Sequence, residues 1–273
     1  MTQLNHTHVD GGDVPVHVGV AANDKSTHLE TEPSESAGLV LQLSPSSICR
    51  RLVVLVLFLA LFGAAANLVI YQIAPTPDHR IARLFYRIDL GHEPSIPAWY
   101  SSIALLVSSL LLTMIAVFKR RGGQPFVFHW FGLAALFFLM ALDEAVMFHE
   151  MVNNALHQLL NTGGVFYFAW VIPAGLFAVA MAIGYARFLG HLQPRTRWLF
   201  MLAGAIFVGG AVGMEMVAGV IHESYGLESV AHTISQTIEE TCEMLGIVLF
   251  IYALLDFIDR NIGSIRLQAA PAE

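Results

Sequence analysis

The segment that decides the fold is residues 197–222, with the sequence RWLFMLAGAIFVGGAVGMEMVAGVIH. Between Arg197 and His222 at its ends, it holds one ionisable residue, Glu215. About 20 consecutive apolar residues are enough for an α-helix to cross the hydrocarbon core of a bilayer. The segment therefore predicts a transmembrane helix that carries an acidic residue within its apolar length.

Five further stretches of the chain have a similar length and a similar apolar composition: about 52–74, 98–118, 127–149, 165–189 and 233–258. Hydrocarbon offers no partner for backbone N–H and C=O groups, so a single spanning segment must satisfy them within a helix. The predicted fold is therefore an all-α integral membrane protein, a bundle of six transmembrane helices.

The composition excludes several classes of protein. Of the 273 residues, 56% are hydrophobic and 13% are charged, whereas a soluble domain carries roughly a quarter charged residues. The two cysteines, Cys49 and Cys242, are too few for a disulfide framework or a thiolate zinc site. These numbers disfavour a soluble enzyme, a secreted disulfide scaffold and a nucleic-acid binder. The expected partner is the lipid bilayer, and the sequence leaves protein partners open.

The polar segments outside the spans predict domain limits and orientation. Residues 1–45 are expected to form a disordered cytoplasmic tail, 46–260 the six-helix membrane domain and 261–273 a cytoplasmic C-terminal tail. Because cytoplasmic loops are enriched in Lys and Arg, the side with more of these residues is predicted to be cytoplasmic. Ten basic residues flank the spans on the side of the N-terminus: Arg50, Arg51, Lys119, Arg120, Arg121, Arg187, Arg195, Arg197, Arg260 and Arg266. The opposite side has Arg80, Arg83 and Arg87.

The loop between the first two spans contains a short amphipathic pattern. Over Arg80–Ile88, apolar residues recur at helical spacing, with the arginines on the other face. This pattern predicts an amphipathic helix lying flat on the outer surface of the membrane. It would serve as an interfacial anchor or, alternatively, as a lid.

Ionisable residues collect in the outer halves of three predicted spans. Residues seven apart in a helix differ by about 20° around the axis and about 10 Å along it, so each span presents a deep acid and a shallower His or Glu on one face. If the three faces converge, two layers result. The inner layer comprises Asp143, Glu215, Glu239 and Glu243, and the outer layer comprises Glu150, His222 and His232.

Three segments together resemble a family of bacterial multi-pass membrane proteins of unknown function. They are Leu142-Asp143-Glu144-Ala145 followed by His149-Glu150, then Gly213-Met214-Glu215-Met216, and the run from Glu239 to Gly246. The resemblance covers residues 50–258 and implies a location in the bacterial inner membrane. It implies no activity, so the nature of the site must be argued from the residues.

The leading hypothesis is a metal-dependent membrane enzyme acting on a lipid or another apolar substrate. Carboxylate and imidazole ligands without thiolate suit Fe, Mn or Zn. The candidate metal ligands are Asp143, Glu215, His222, His232, Glu239 and Glu243, and the candidate acid or base residues are Glu144 and Glu240. The alternatives are a proton- or cation-coupled carrier or channel, and a non-catalytic assembly or sensor protein whose acids form a structural network.

Overall fold

The computed structural model describes residues 39–41, 44–73, 85–91, 95–226, 229–262 and 265–267. Its α-helices, in chain order, are α1 (Pro45–Ile73), α2 (Ile96–Arg121), α3 (Val127–Val146), α4 (Phe148–Leu160), α5 (Val171–His191), α6 (Pro194–Val208), α7 (Glu215–Tyr225) and α8 (Val230–Asn261). A π-helical segment, Gly209–Met214, joins α6 to α7, and a 3₁₀ turn, Gly164–Phe166, precedes α5. Most of the predicted N-terminal tail lies outside the described residues, so the predicted domain limits stay a prediction.

Six helical segments of the described chain are long and apolar enough to cross a membrane: Pro45–Asn67, Ile96–Arg121, Val127–Val146, Val171–His191, Pro194–Tyr225 and Val230–Asn261. The fifth of these contains α6, the π segment and α7 as one continuous helix. The predicted all-α bundle of six membrane-spanning helices is confirmed, and the protein is a multi-pass membrane protein.

Two short strands flank the helical region. Strand β1 (Leu39–Leu41) pairs in antiparallel fashion with β2 (Ile265–Leu267), and Val40 is opposite Arg266. One strand precedes α1 and the other follows α8. The pairing therefore places the beginning of the first span and the end of the last span at the same end of the bundle.

Helix α8 forms the centre of the bundle. In its most apolar stretch 67% of the residues are buried, compared with 44% or less in the other spans. It contributes to three groups of packed side chains, in which Val248 contacts residues of α1, Ile251 contacts residues of α2 and α3, and Leu254 packs with residues of α6. A helix that is apolar on every side is typical of such a central position.

Helices α2 and α3 pack closely along an interface of small residues. Ser109 Oγ donates a hydrogen bond to the carbonyl oxygen of Ala134 at 2.7 Å, and Ser102 Oγ donates to that of Ala141 at 2.8 Å. Small side chains let helix backbones approach in lipid, and hydroxyl groups then bond across the interface. These contacts hold α3, which carries Asp143, in a fixed rotation relative to α2.

The third span ends earlier than the sequence predicted. Met147 has φ of 61°, the left-handed conformation, so α3 ends at Val146 and a new helix, α4, begins at Phe148. The predicted continuous helix over 127–149 is therefore wrong. Because the helix is interrupted between them, the prediction that Asp143 and Glu150 share one helical face is wrong as well.

Helix α4 is amphipathic. Phe148, Met151 and Leu159 on one face are exposed, whereas Asn153 and His157 on the other face line a cavity inside the bundle. The amphipathic helix predicted over 80–88 lies mostly outside the described residues, and the described part, 85–91, consists mainly of turns. The amphipathic character of α4 was not predicted from the sequence.

A charged group anchors α6 to the end of α8. Asp256 is buried, and its Oδ2 accepts hydrogen bonds from Arg195 Nε at 3.1 Å and from Arg260 Nε at 2.9 Å. Arg195 also donates to the hydroxyl oxygen of Tyr252 at 2.8 Å. A buried carboxylate needs such partners, and these contacts fix the start of the fifth span against the central helix.

Candidate functional site

A large cleft lies between α5 and the rest of the bundle. Its volume is about 1380 Å³, and it is lined mainly by residues of α3 to α8, together with Gly91 and with Leu105 of α2. The cleft exists because α5 packs loosely: Val171 and Phe188 are its only buried residues. Apolar side chains, such as Phe137, Phe177 and Met181, form much of the wall.

The charged residues of the cleft are concentrated at one end, called here the acidic end. Its acidic lining residues are Asp143, Glu144, Glu150, Glu215, Glu239, Glu240 and Glu243. Among the described lining residues, Arg197 is the single basic side chain of the Lys or Arg type. It lies 18 residues before Glu215 on the same span, a distance of roughly 27 Å along the helix. The two ends of the cleft therefore differ strongly in charge.

The π segment positions Glu215, which is the first residue of α7. A π-helical turn inserts an extra residue and rotates the side chains that follow it, and such turns are frequent at functional sites. Within this segment, a Cβ on Gly210 would lie only 2.9 Å from the carbonyl oxygen of Glu239 and 3.0 Å from Cβ of Cys242. The absence of a side chain at Gly210 thus lets the fifth span approach α8 beside Glu239.

Glu215 and Glu239 form a carboxyl pair across the two helices. Their side chains lie next to each other, and Nε1 of Trp170 donates a hydrogen bond to Oε1 of Glu215 at 3.4 Å. Glu239 is 8% exposed, and its Oε2 is buried without a hydrogen-bond partner in the described structure. Two carboxyl groups in contact repel each other when both are ionised, so such a pair either shares one proton or holds another cation.

Two histidines form a second layer beside this pair. The ring centroids of His222 on α7 and His232 on α8 are 6.1 Å apart. Tyr167 packs against His222 with a centroid distance of 4.1 Å, and Phe168 stacks on His232 at 6.4 Å. Each histidine is seven residues from the Glu on its own helix, so the two layers contributed by α7 and α8 lie about 10 Å apart.

Asp143 interacts with the beginning of α4. Its Oδ1 accepts a hydrogen bond from the backbone N–H of His149 at 2.9 Å, and its Oδ2 lies 2.9 Å from Nδ1 of the same residue. The His149 ring packs against Trp170 with a centroid distance of 5.5 Å. Asp143 therefore caps α4 across the break at Met147 and contacts the carboxyl pair only indirectly, through His149 and Trp170.

The predicted metal centre gains no support from this geometry. Within the described residues, no group of three or more His, Cys, Asp or Glu side chains is placed to hold one metal ion. Five of the six predicted ligands lie in separate contacts: Asp143 with His149, Glu215 with Glu239, and His222 with His232. The sixth, Glu243, lines the cleft together with the predicted acid or base residues Glu144 and Glu240.

The sequence analysis did not identify several aromatic residues of the site. Tyr167, Phe168 and Trp170 line the acidic end, and they belong to the segment between the 3₁₀ turn and α5. Because this segment is apolar, the sequence predicts it as part of the fourth span, 165–189. The Gly163-Gly164 pair was a signal of irregular structure at that point.

A family model described as a domain of unknown function, DUF8692, matches residues 52–257. The chain belongs to this family. The matched range includes all the described residues that line the cleft, from Gly91 to Phe250, so the acidic end and the histidine layer are parts of the DUF8692 domain. No curated protein and no solved structure matches the chain.

Proposed function

We propose that this protein binds an amphiphilic molecule of the membrane, with the hydrocarbon part in the apolar cleft and the polar head at the acidic end. The observation that carries the proposal is that one continuous cavity joins apolar walls, such as Phe177 and Met181, to the Glu215–Glu239 pair. A molecule that fills such a cavity must itself be apolar at one end and polar at the other.

The size and the position of the cleft support this proposal. Binding sites for small molecules usually measure about 300–1,000 Å³, and this cleft, at about 1380 Å³, is larger. Its wall on one side is α5, most of which faces outward from the bundle. A hydrocarbon chain from the bilayer would reach the cleft beside this helix without passing through water.

The chemistry of the acidic end suits an enzyme that works by proton transfer. The Glu215–Glu239 pair can hold a proton, and Glu144 and Glu240, the predicted acid or base residues, line the same end. A metal-dependent reaction would need about three protein ligands around one ion. The described side chains do not supply such a set, so the proposal rests on binding and acid–base chemistry.

We also propose, from the distribution of Lys and Arg, that both termini are cytoplasmic and that the acidic end lies in the outer leaflet. Reporter fusions after residues 95, 160 and 226 are expected to show an external location. A cytoplasmic signal at any of the three sites would contradict this orientation.

The binding proposal is tested by filling the cleft. Gly204 lines the cleft and has no atom within 4 Å of the position of a Cβ, so Gly204→Phe would place a ring inside the cavity. Gly184 has equally open surroundings and does not line the cleft, which makes Gly184→Phe the matched control. The amount of membrane amphiphile that purifies with the protein is measured by mass spectrometry.

We expect Gly204→Phe to lose most of the bound amphiphile and Gly184→Phe to retain it, because only the first substitution occupies the cavity. Equal amounts of bound amphiphile in the two variants and in the native protein would contradict the proposal. Circular dichroism and the thermal unfolding midpoint verify that both variants fold.

A further inference from the structure

We infer that the head group bound at the acidic end is an organic ammonium, an inference that rests on the proposed binding of an amphiphile. The inference concerns the charge and the chemical type of the ligand, neither of which follows from the apolar cleft. Its basis is the combination of carboxyl groups, one unpaired buried oxygen and three aromatic rings at one end of the cavity.

The acidic end has an excess of carboxyl groups. Seven acidic residues line the acidic end, whereas the lining includes no Lys or Arg within the described residues of that end. Three histidines also line it, and two of them have hydrogen-bond partners: His149 pairs with Asp143, and His157 pairs with the carbonyl oxygen of Tyr167. Such an excess of carboxyl groups attracts a cation and repels a phosphate or a carboxylate.

One oxygen of Glu239 is unpaired among the described residues. This residue is more than nine-tenths buried, it lines the cleft, and its Oε2 has no hydrogen-bond partner in the described structure. Buried polar atoms of proteins almost always have a partner. A positive charge held beside the Glu239 carboxyl group would provide the electrostatic partner that Oε2 lacks.

Three aromatic residues at the acidic end indicate the type of cation. Trp170, Tyr167 and Phe168 line the same end, and the hydrogen bond from Trp170 Nε1 to Glu215 holds the indole beside the carboxyl pair. Aromatic faces attract ammonium groups, and aromatic rings combined with carboxylates recognise quaternary ammonium ligands. A metal ion would instead require several ligands around one point, and no group of three is found among the described side chains.

The test compares two probes with the same hydrocarbon chain. Radiolabelled hexadecyltrimethylammonium and hexadecan-1-ol are titrated onto the purified full-length protein in an uncharged maltoside detergent. Binding to Gly204→Phe is subtracted as the background from detergent micelles. We expect the native protein to bind the ammonium probe at least tenfold more tightly than the alcohol, because desolvated contacts of a cation with aromatic rings and carboxyl groups provide a factor of about this size.

Three variants locate the interaction. Glu239→Gln and Glu215→Gln each remove a carboxyl charge, so each is expected to weaken binding of the ammonium probe about tenfold and to leave binding of the alcohol unchanged. Trp170→Leu is also expected to weaken binding of the ammonium probe and to leave binding of the alcohol unchanged. Glu223→Gln is the matched control, because Glu223 is an exposed acid of α7 that does not line the cleft.

The outcomes separate this inference from the proposed function. Equal binding of the two probes, blocked by Gly204→Phe but unaffected by Glu239→Gln and Glu215→Gln, would overturn the ammonium inference and leave the proposed function standing. Binding of both probes at the level of Gly204→Phe would overturn both. An equal loss of ammonium binding in Glu223→Gln would also overturn the inference, since the effect would then reflect general surface charge.

Discussion

Replacing Trp130 by alanine is expected to destabilise the protein by about 3–5 kcal/mol, the usual cost of removing a large buried aromatic side chain. Trp130 is 1% exposed. Its ring lies 5.1 Å from that of Phe188, 6.0 Å from that of Phe200 and 5.0 Å from that of Phe257, measured between centroids. It therefore joins four helices, α3, α5, α6 and α8, and truncation would leave a cavity at their junction.

The effect of this substitution is measured as the midpoint of thermal unfolding in one detergent. For a protein of this size, the expected loss corresponds to a decrease on the order of 10 °C. Trp198→Ala is the matched control because Trp198 is 66% exposed and its ring would contact lipid or detergent. An equal decrease in the two variants would contradict the buried position of Trp130 described above.

The loss at Trp130 is also expected to affect the cleft. Phe188 and Phe200 contact Trp130 and line the cleft near the end that contains Arg197. Because α5 has only two buried residues, the contact between Phe188 and Trp130 is a large part of what holds that helix in place. The packing of Phe188 and Phe200 against Trp130 thus links the stability of the bundle to the shape of the cavity.

The six spans could be predicted from the sequence because each depends only on a long run of apolar residues. The sequence also predicts that the two layers of α7 match those of α8. Glu215 and His222 are seven residues apart, as are His232 and Glu239. Two antiparallel helices that bring one pair together bring the other together as well. The site roles of these residues stay predictions.

The position of Asp143 relative to the Glu and His residues of α7 and α8 could not be predicted, because it depends on the break in the helix at Met147. Nothing in the sequence around Met147 is a helix-breaking Gly or Pro, and a methionine rarely adopts positive φ. Likewise, the π segment before Glu215 changes the rotation of everything that follows. Its three glycines, Gly209, Gly210 and Gly213, indicate irregular structure, but they do not predict which type of helical turn forms. Both features are fixed by packing between helices.

Replacing Gly246 by alanine is the second substitution with a large expected effect. A Cβ at this position would lie 2.9 Å from both the backbone nitrogen and the Cβ of Phe207. Because these atoms are the backbone of α6 and a Cβ fixed to it, no side-chain rotation can relieve the contact, and the two helices must separate. Overpacking of this kind costs about 1–3 kcal/mol, and we expect a value near the upper limit.

Gly184→Ala provides the control for this prediction. Gly184 lies in the middle of α5 and has no atom within 4 Å of the position of a Cβ. Alanine favours a helix interior by up to about 1 kcal/mol relative to glycine, so this variant is expected to keep or slightly raise the unfolding midpoint. A decrease in Gly184→Ala as large as that in Gly246→Ala would show that helix packing is not the cause.

The separation caused by Gly246→Ala should also reach the carboxyl pair. Phe207, the residue in contact with Gly246, is three residues before Gly210, where the fifth span approaches the backbone of Glu239. Moving α6 away from α8 at Gly246 would therefore widen the distance between Glu215 and Glu239 as well. We expect the variant to bind the ammonium probe more weakly than Gly184→Ala at a temperature where both are folded. Unchanged binding in a destabilised variant would mean that the approach at Gly246 maintains the bundle without positioning the site.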